Sequence, residues 1–378
     1  MKKILILGAD GYLGWAATIY FSNLGYKIAV VDNYLKRKIS SECNVNPILE
    51  NYELKTRVNI FENLSNNKVK TFIGDLKNWN FISSVFKKFE PDFVIHYAEQ
   101  PSAPYSDLNY STGKLSLTNN IVTTYNVLHA VKKFTPNAHI IKLGTMGEYG
   151  TPNIDIEEGW LTIKHNKRKD IFLFPRQGGS LYHTTKILDT DLIWFYVRKF
   201  NLKVTDLMQG PVYGIFLNNE YDKKNLLTSF YYDKYFGTII NRFIVQASLG
   251  LPLSIYGSGN QKRGYIDIRD SLRCVHLAIK NSPNKGNLNI YNQFTEILSV
   301  NEISKKIINA SRKIGLKVKS KHFKNNRLEK EKHYYNPKNK SLLKLGLKPN
   351  YLSEETIIKL IYFALDNKKN IKTNNLYN

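Results

Sequence analysis

The stretch that most constrains the fold lies at the start of the chain. A short apolar run, Lys3–Leu7, leads directly into Gly8-Ala9-Asp10-Gly11-Tyr12-Leu13-Gly14, and a helical pattern follows from Gly11 to Leu24. In that order, strand, glycine turn and helix supply a tight turn, a close approach of backbone to a pyrophosphate, and a helix N-terminus aimed at its charge. The plain alternative is a glycine turn with no ligand. Eighteen residues after Gly14, Asp32 ends a second apolar run, Lys27–Val31. An acid there, with Asn33 beside it, can bind both ribose hydroxyls and repels a 2′-phosphate. NAD is therefore expected rather than NADP, although Lys36 and Arg37 nearby oppose that preference. Asp75 and Leu76, after Thr71-Phe72-Ile73-Gly74, are placed near the adenine, with a strand-end cap as the alternative for Asp75.

Over the first two hundred residues, apolar runs alternate with helical patterns, which argues for a parallel sheet wound by helices. Strands are expected at Lys3–Leu7, Lys27–Val31, Val69–Ile73, Phe93–His96, Ala138–Leu143 and Lys203–Leu207. Helices are expected at Gly11–Leu24, Ile82–Phe89, Leu115–Phe134 and Leu181–Phe200. Residues 34–67 form a long connection that should carry helical pieces of its own. After Gly210 the alternation weakens and Gly/Pro turns multiply, with helices expected near Ile239–Leu249 and Val300–Ile314. The expected class is α/β: a Rossmann-type doubly wound parallel sheet with a smaller mixed α/β substrate lobe. Its domains would be 1–210, with a returning segment near 264–270, and 211–378, of which 366–378 is a polar, frayed tail.

The chain of 378 residues has a formal net charge of +24, with fifteen Lys and Arg between Lys305 and Lys348 against two acids, Glu329 and Glu331. Such an excess suggests nucleic acid or an anionic surface. No reading helix or aromatic stacking module accompanies it, so a Lys- and Asn-rich compositional bias or a basic wall around a polyanionic ligand is the better account. No apolar run approaches the ~18 residues of a membrane span. Cys43 and Cys274 match no metal or redox spacing. A cytoplasmic protein with no metal, no nucleic acid and no membrane is expected.

Tyr182-His183-Thr184-Thr185-Lys186 opens a helical pattern, so Tyr182 and Lys186 share one face. A phenol has a reference pKa of about 10, and a neighbouring ammonium lowers it toward a useful base. Thr145, at the end of the run His139–Leu143, would offer a hydroxyl to the same reacting oxygen. With the glycine turn upstream, these residues resemble the extended short-chain dehydrogenase/reductase superfamily, the nucleotide-sugar epimerases and dehydratases. That resemblance implies Tyr182 as base, Lys186 as its modulator and ribose ligand, Thr145 as third member, and tightly bound NAD.

Five less generic stretches are 99–106, 143–159, 261–270, 291–296 and 333–336. Together they resemble the UDP-sulfoquinovose synthase family, which uses UDP-glucose and sulfite. The resemblance implies C4 oxidation, loss of water across C5–C6, addition of sulfite at C6 and return of hydride to C4. Dehydratases carry an Asp-Glu pair after the strand-terminal Thr, where this chain has Met146-Gly147. Glu148 and His183 are then the candidate proton shuttles; Glu148 can equally brace the Tyr149-Gly150 turn, and His183 can be an ordinary helix-face histidine. Arg263 and Arg327, with Gln261, are the expected diphosphate ligands, Arg327 being equally readable as a solvated charge. Leu253–Tyr256 would line the uracil, Gln209 would face the sugar or be a plain polar strand-end, and Gln100 is a further expected substrate ligand. The family has Arg where this chain has Pro101, which leaves the sulfite contact open. A homodimer through the two long helices is implied by the superfamily. The alternatives are a UDP-glucose 4-epimerase or 4,6-dehydratase, and a non-catalytic NAD-bound or RNA-binding protein.

Overall fold

The computed structural model describes residues 1–324 and 334–377. Seven parallel strands form its central sheet: β1 (Lys3–Leu7), β2 (Lys27–Asp32), β3 (Val69–Ile73), β4 (Phe93–His96), β5 (His139–Thr145), β6 (Lys203–Gln209) and β7 (Leu288–Gln293). Their order is β7-β6-β5-β4-β1-β2-β3, with every neighbouring pair parallel. The direction of winding reverses between β1 and β4, and ligands of such sheets bind at the carboxyl ends of the strands there.

The apolar runs are continuous because both faces of the sheet are covered. Ile4, Ile6, Ile28 and Val30 pack with Trp15 and Ile19 of the Tyr12–Asn23 helix and with Leu272 and Val275 of the Ile268–Lys280 helix. Leu5, Leu7, Ala29 and Val31 pack on the other face with Ile82 and Phe86 of the Trp79–Phe89 helix and with Val127 and Val131 of the Tyr110–Phe134 helix. The 34–67 connection carries helices Leu35–Glu42 and Leu54–Ser65.

The chain's return to this layer is longer than the stretch near 264–270. Lys262–Asp267 itself joins a separate three-stranded sheet with Val212–Tyr213 and Glu296–Ser299. The Ile268–Lys280 helix and β7 then rejoin the central layer. β7 reads Leu-Asn-Ile-Tyr-Asn-Gln, too polar to resemble a core strand, because it closes one edge of the sheet. A third apolar core joins helices Ile239–Ser248, Val300–Lys313 and Glu354–Asp366. Two further departures concern exposed segments. Trp160–His165 and Arg168–Leu173 form an antiparallel hairpin. The polar tail is docked rather than frayed: Lys372 N donates to Tyr232 OH at 2.7 Å, Asn370 Nδ2 to Ile48 O at 3.0 Å, and Leu376 is buried.

Candidate active site

A cleft of about 1130 Å³ opens over the carboxyl ends of the central strands and is bounded by Tyr231, Phe236, Arg263 and Tyr335 of the second lobe. At one end stands the glycine turn. Gly8 has φ +82°, and a Cβ there would lie 2.7 Å from the Tyr97 carbonyl; a Cβ on Gly14 would overlap Gly8 O. Gly11 caps the Tyr12–Asn23 helix with no side-chain hydrogen bond. That helix N-terminus therefore offers backbone N–H groups and partial positive charge to the cleft.

Asp32 reaches the cleft from the end of β2, its carboxylate accepting from Asp10 N at 2.9 Å and Tyr34 N at 2.7 Å. Burial, reinforced by the Asp10 charge, pushes this carboxyl up to about 6. Asp10 is itself held by Arg37 (Nε 2.6 Å, Nη2 2.9 Å) and by the fully buried Arg57 (Nη2 2.6 Å), whose guanidinium lies 4.6 Å from the Trp15 ring. Arg37 also donates to the carbonyls of Asn51 and Tyr52, so its fork closes away from Asp32's ligand side. Lys36 does face the cleft, 4.2 Å from the Tyr231 ring and 5.1 Å from Phe236, and burial pushes its ammonium down to about 8. Asn33, Asp75 and Leu76 line the same end; Asp75 accepts from Lys77 N and pairs with Lys77 Nζ at 2.8 Å. A bare helix N-terminus, a turn with no room for side chains, and a carboxylate at the end of β2 fit a dinucleotide.

Thr145, Tyr182, His183 and Lys186 all line the other part of the cleft. Thr145 ends β5, and its Oγ1 accepts from Gly147 N at 3.2 Å. Ser180 caps the Leu181–Phe200 helix by accepting from His183 N, and Tyr182 N donates to Ser106 Oγ at 3.0 Å. These two bonds fix where the helix starts and bring Tyr182 and Lys186 into the cleft one turn apart. Lys186 Nζ lies 2.5 Å from Glu99 Oε2, with both side chains nearly closed to solvent. The Tyr182 phenol differs from expectation. Burial, and then the Glu99 and Glu148 carboxylates, push it above its usual value, although Lys186 is one turn away.

Three of the expected site residues are held by the protein's own groups. Glu148 is fully buried: Oε1 accepts from Thr145 N at 3.1 Å and lies 3.3 Å from Lys142 Nζ, while Oε2 accepts from Thr190 Oγ1. It braces the turn and is no shuttle at the cleft wall. Gln100 lines the cleft, with its amide on Ser102 O and Ser116 Oγ and its carbonyl accepting from Ser102 N, so it also shapes the loop. Gln261 donates to Tyr256 O and lies off the cleft wall, as does Leu253–Tyr256, which pairs with Ser320–Phe323. Gln209 and Arg263 border the cleft; Gln209 Nε2 donates to Ser271 Oγ and Gln293 Oε1. Arg327 lies outside the described residues. Sequence reasoning gave no role to Glu99, Asp10 or Arg57. Glu99 had a signal: it follows the apolar run Phe93–His96 as a charged residue just past a strand's carboxyl end.

Residues 4–292 match the NAD dependent epimerase/dehydratase family. The chain is 41% identical to the chloroplastic UDP-sulfoquinovose synthase of Spinacia oleracea, covering 98% of this chain and 77% of that one. It is 38% identical to the UDP-sulfoquinovose synthase of Sulfolobus acidocaldarius, covering 98% and 94%. Its fold is similar to the crystal structure of UDP-glucose 4-epimerase from Bifidobacterium longum, with TM-score 0.72, 19% identity and coverage of 98% and 100%. Sequence kinship over almost the whole length, on a sheet and cleft of this kind, places the protein: the chain belongs to the NAD dependent epimerase/dehydratase family and, within it, to the family of the UDP-sulfoquinovose synthases.

Proposed function

We propose that the protein converts UDP-glucose and sulfite to UDP-sulfoquinovose, with NAD as its cofactor. In the net change the C6–O bond breaks, a C6–S bond forms, and water leaves. The observation that carries this reading over a simple dehydratase is the contact of His183 with Gly147. A Cβ on Gly147 would lie within 2.5 Å of His183 Cδ2, so the imidazole occupies ground that a side chain at 147 would need. With Met146 beside it, the turn after β5 brings an imidazole to the cleft and no carboxylate at 146 or 147.

When bound, NAD supplies reversible hydride exchange at C4. Gly8, Gly11 and Gly14 offer the pyrophosphate a close backbone, Asp32 and Asn33 meet the ribose, and Asp75 and Leu76 border the adenine end. Lys186 reaches the second ribose. Tyr182 Oη and Thr145 Oγ1 hold the C4 oxygen and its proton. His183 exchanges protons at C5 and at the departing C6 hydroxyl, where an imidazole can both give and take a proton. Arg263 grips the UDP diphosphate, and Gln209 borders the sugar.

We read the working form as a homodimer in the cytoplasm. Val122 and Tyr125 on one long helix, and Leu188 and Phe195 on the other, are exposed large apolar residues. The two helices are joined by Asn120 Nδ2 donating to Thr185 Oγ1 at 3.0 Å, and a second copy would cover this face. No helix among the described residues is long and apolar enough to cross a membrane.

Incubation of the purified protein with NAD, UDP-glucose and sulfite, followed by mass spectrometry of the nucleotides, tests the reading. A sulfonated UDP-hexose is expected. UDP-galactose or a UDP-4-keto-6-deoxyhexose as sole product would overturn it.

A further inference from the structure

Lys142 stands in the middle of β5, where a central strand covered on both faces calls for an apolar residue. The side chain is fully buried and forms no part of the cleft lining. In the strand register Lys142 lies opposite Asp206 of β6, whose Oδ2 is 3.4 Å from its Nζ. Nζ also lies 3.0 Å from Thr190 Oγ1, 3.3 Å from the Lys186 carbonyl oxygen and 3.3 Å from Glu148 Oε1. Thr190 Oγ1 in turn donates to Asp206 Oδ2 at 2.7 Å. Glu148 accepts from Thr145 N on the same Oε1, and Arg176 Nη1 lies 3.6 Å from its Oε2. None of Lys142, Glu148, Arg176, Thr190 and Asp206 borders the cleft, yet the knot they form packs directly beneath its floor. A Cβ on Gly144 would lie 2.5 Å from Asp206 Oδ1 and 3.0 Å from Glu148 Oε1.

Charge buried in this way is a poor source of stability, since apolar residues of like volume often serve as well or better. It does couple the elements that share the hydrogen bonds. Those elements carry the reacting groups. Through Glu148 the knot holds the backbone of Thr145 at the end of β5. Through Lys186 O and Thr190 it holds the Leu181–Phe200 helix, beginning one turn after Tyr182.

We propose that Lys142 is a positioning residue: its buried ammonium binds the turn that carries Thr145 to the helix that carries Tyr182 and Lys186, and so sets the separation of the two hydroxyls that meet the C4 oxygen. This rests on the roles given to those three residues in the reaction proposed above. Tyr182 remains the acceptor of the C4 proton and Lys186 its modulator. Lys142 touches neither sugar nor cofactor and acts through its neighbours.

The test scores UDP-glucose consumed with NAD and sulfite, whatever the product, because C4 oxidation opens the synthase, epimerase and dehydratase reactions alike. In Lys142→Met kcat should fall by about 10–10²-fold, the cost of a small misplacement of reacting groups. KM for UDP-glucose and the affinity for NAD should stay near wild type, because neither ligand meets the knot. Thr190→Val keeps every charge and nearly the same shape, so it serves if Lys142→Met does not fold. It should lower kcat in the same direction, and Thr190→Ser, which keeps the hydroxyl, should restore it. In a Thr145→Ala background, Thr190→Val should cost little more, because the hydroxyl it helps to place is gone. Wild-type kcat in folded Thr190→Val would overturn the proposal, and so would a loss that Thr190→Ser does not restore or that adds in full to the loss in Thr145→Ala. Failure of the functional reading alone would appear separately, as UDP-glucose consumed without a sulfonated product; a wild type that consumes none would overturn both.

Discussion

Gly147 and His183 are in direct van der Waals contact: the imidazole lies where the first atom of any side chain at 147 would stand. The glycine is therefore a vacancy made for a ring on another element. It ties the turn after β5 to the first turn of the Leu181–Phe200 helix.

Gly147→Ala should displace the imidazole. If His183 moves protons in the reaction, kcat should fall by about 10²-fold or more, in the range of general acid–base contributions. The affinity for NAD, measured by fluorescence titration, should stay near wild type because the glycine turn is untouched. Unchanged kcat would remove His183 from the mechanism.

The Asp10–Arg57 pair is the strongest stability prediction. Arg57 is fully buried, and Asp10 is its carboxylate partner at 2.6 Å. Asp10→Asn leaves a buried guanidinium without a counter-charge, a change that costs about 3–5 kcal/mol. Urea unfolding should show a lower midpoint with little change in slope. A midpoint equal to wild type would mean that Arg57 finds another partner.

Cofactor binding should depend on pH through Asp32. Its carboxyl is raised by burial to about 6, above its ordinary value of 3.8, so it is neutral below that pH and ionised above it. The neutral form stabilises the fold below the ordinary value, and that contribution is lost as pH rises through about 6. Hydrogen bonding to ribose hydroxyls runs the other way and needs the ionised form. NAD affinity should therefore weaken as pH falls through 6, and Asp32→Asn should flatten the dependence. Calorimetric titration at several pH values checks both; a wild-type affinity that is level across this window would contradict the assignment.

Phe195→Asp should break the association read from the two long helices. Phe195 is 48% exposed on the Leu181–Phe200 helix, away from the cleft lining. Sedimentation should give a dimer for wild type and a monomer for the variant. A wild-type monomer would refute the association.

How much of this was legible in the chain follows from the range of the interactions. β1, β2 and β4 could be read because a strand covered on both faces is a continuous apolar run. β7 could not, since Asn289, Asn292 and Gln293 interrupt its pattern and its membership of the sheet is a tertiary fact. Thr145, Tyr182 and Lys186 were legible because local geometry places them, at a strand end and on one helix face. Glu99 and Lys186 lie 87 positions apart, and Asp10 and Arg57 lie 47 apart, so their pairing has no local signature. Glu148 could be read either as a brace or as a shuttle, and only its buried partners Lys142 and Thr190 decide for the brace.

A carbon–sulfur bond at C6 is the outcome that distinguishes the proposed reaction. The direct measurement supplies isotope-labelled sulfite with UDP-glucose and NAD, isolates the nucleotide sugar, and locates the label by mass spectrometry and by the C6 resonance in nuclear magnetic resonance. The prediction is that the label enters the hexose, C6 carries sulfur in place of its hydroxyl, and the C4 configuration of glucose is retained. Turnover that inverts C4 or leaves a 4-keto-6-deoxy sugar, with no label in the hexose, would contradict it.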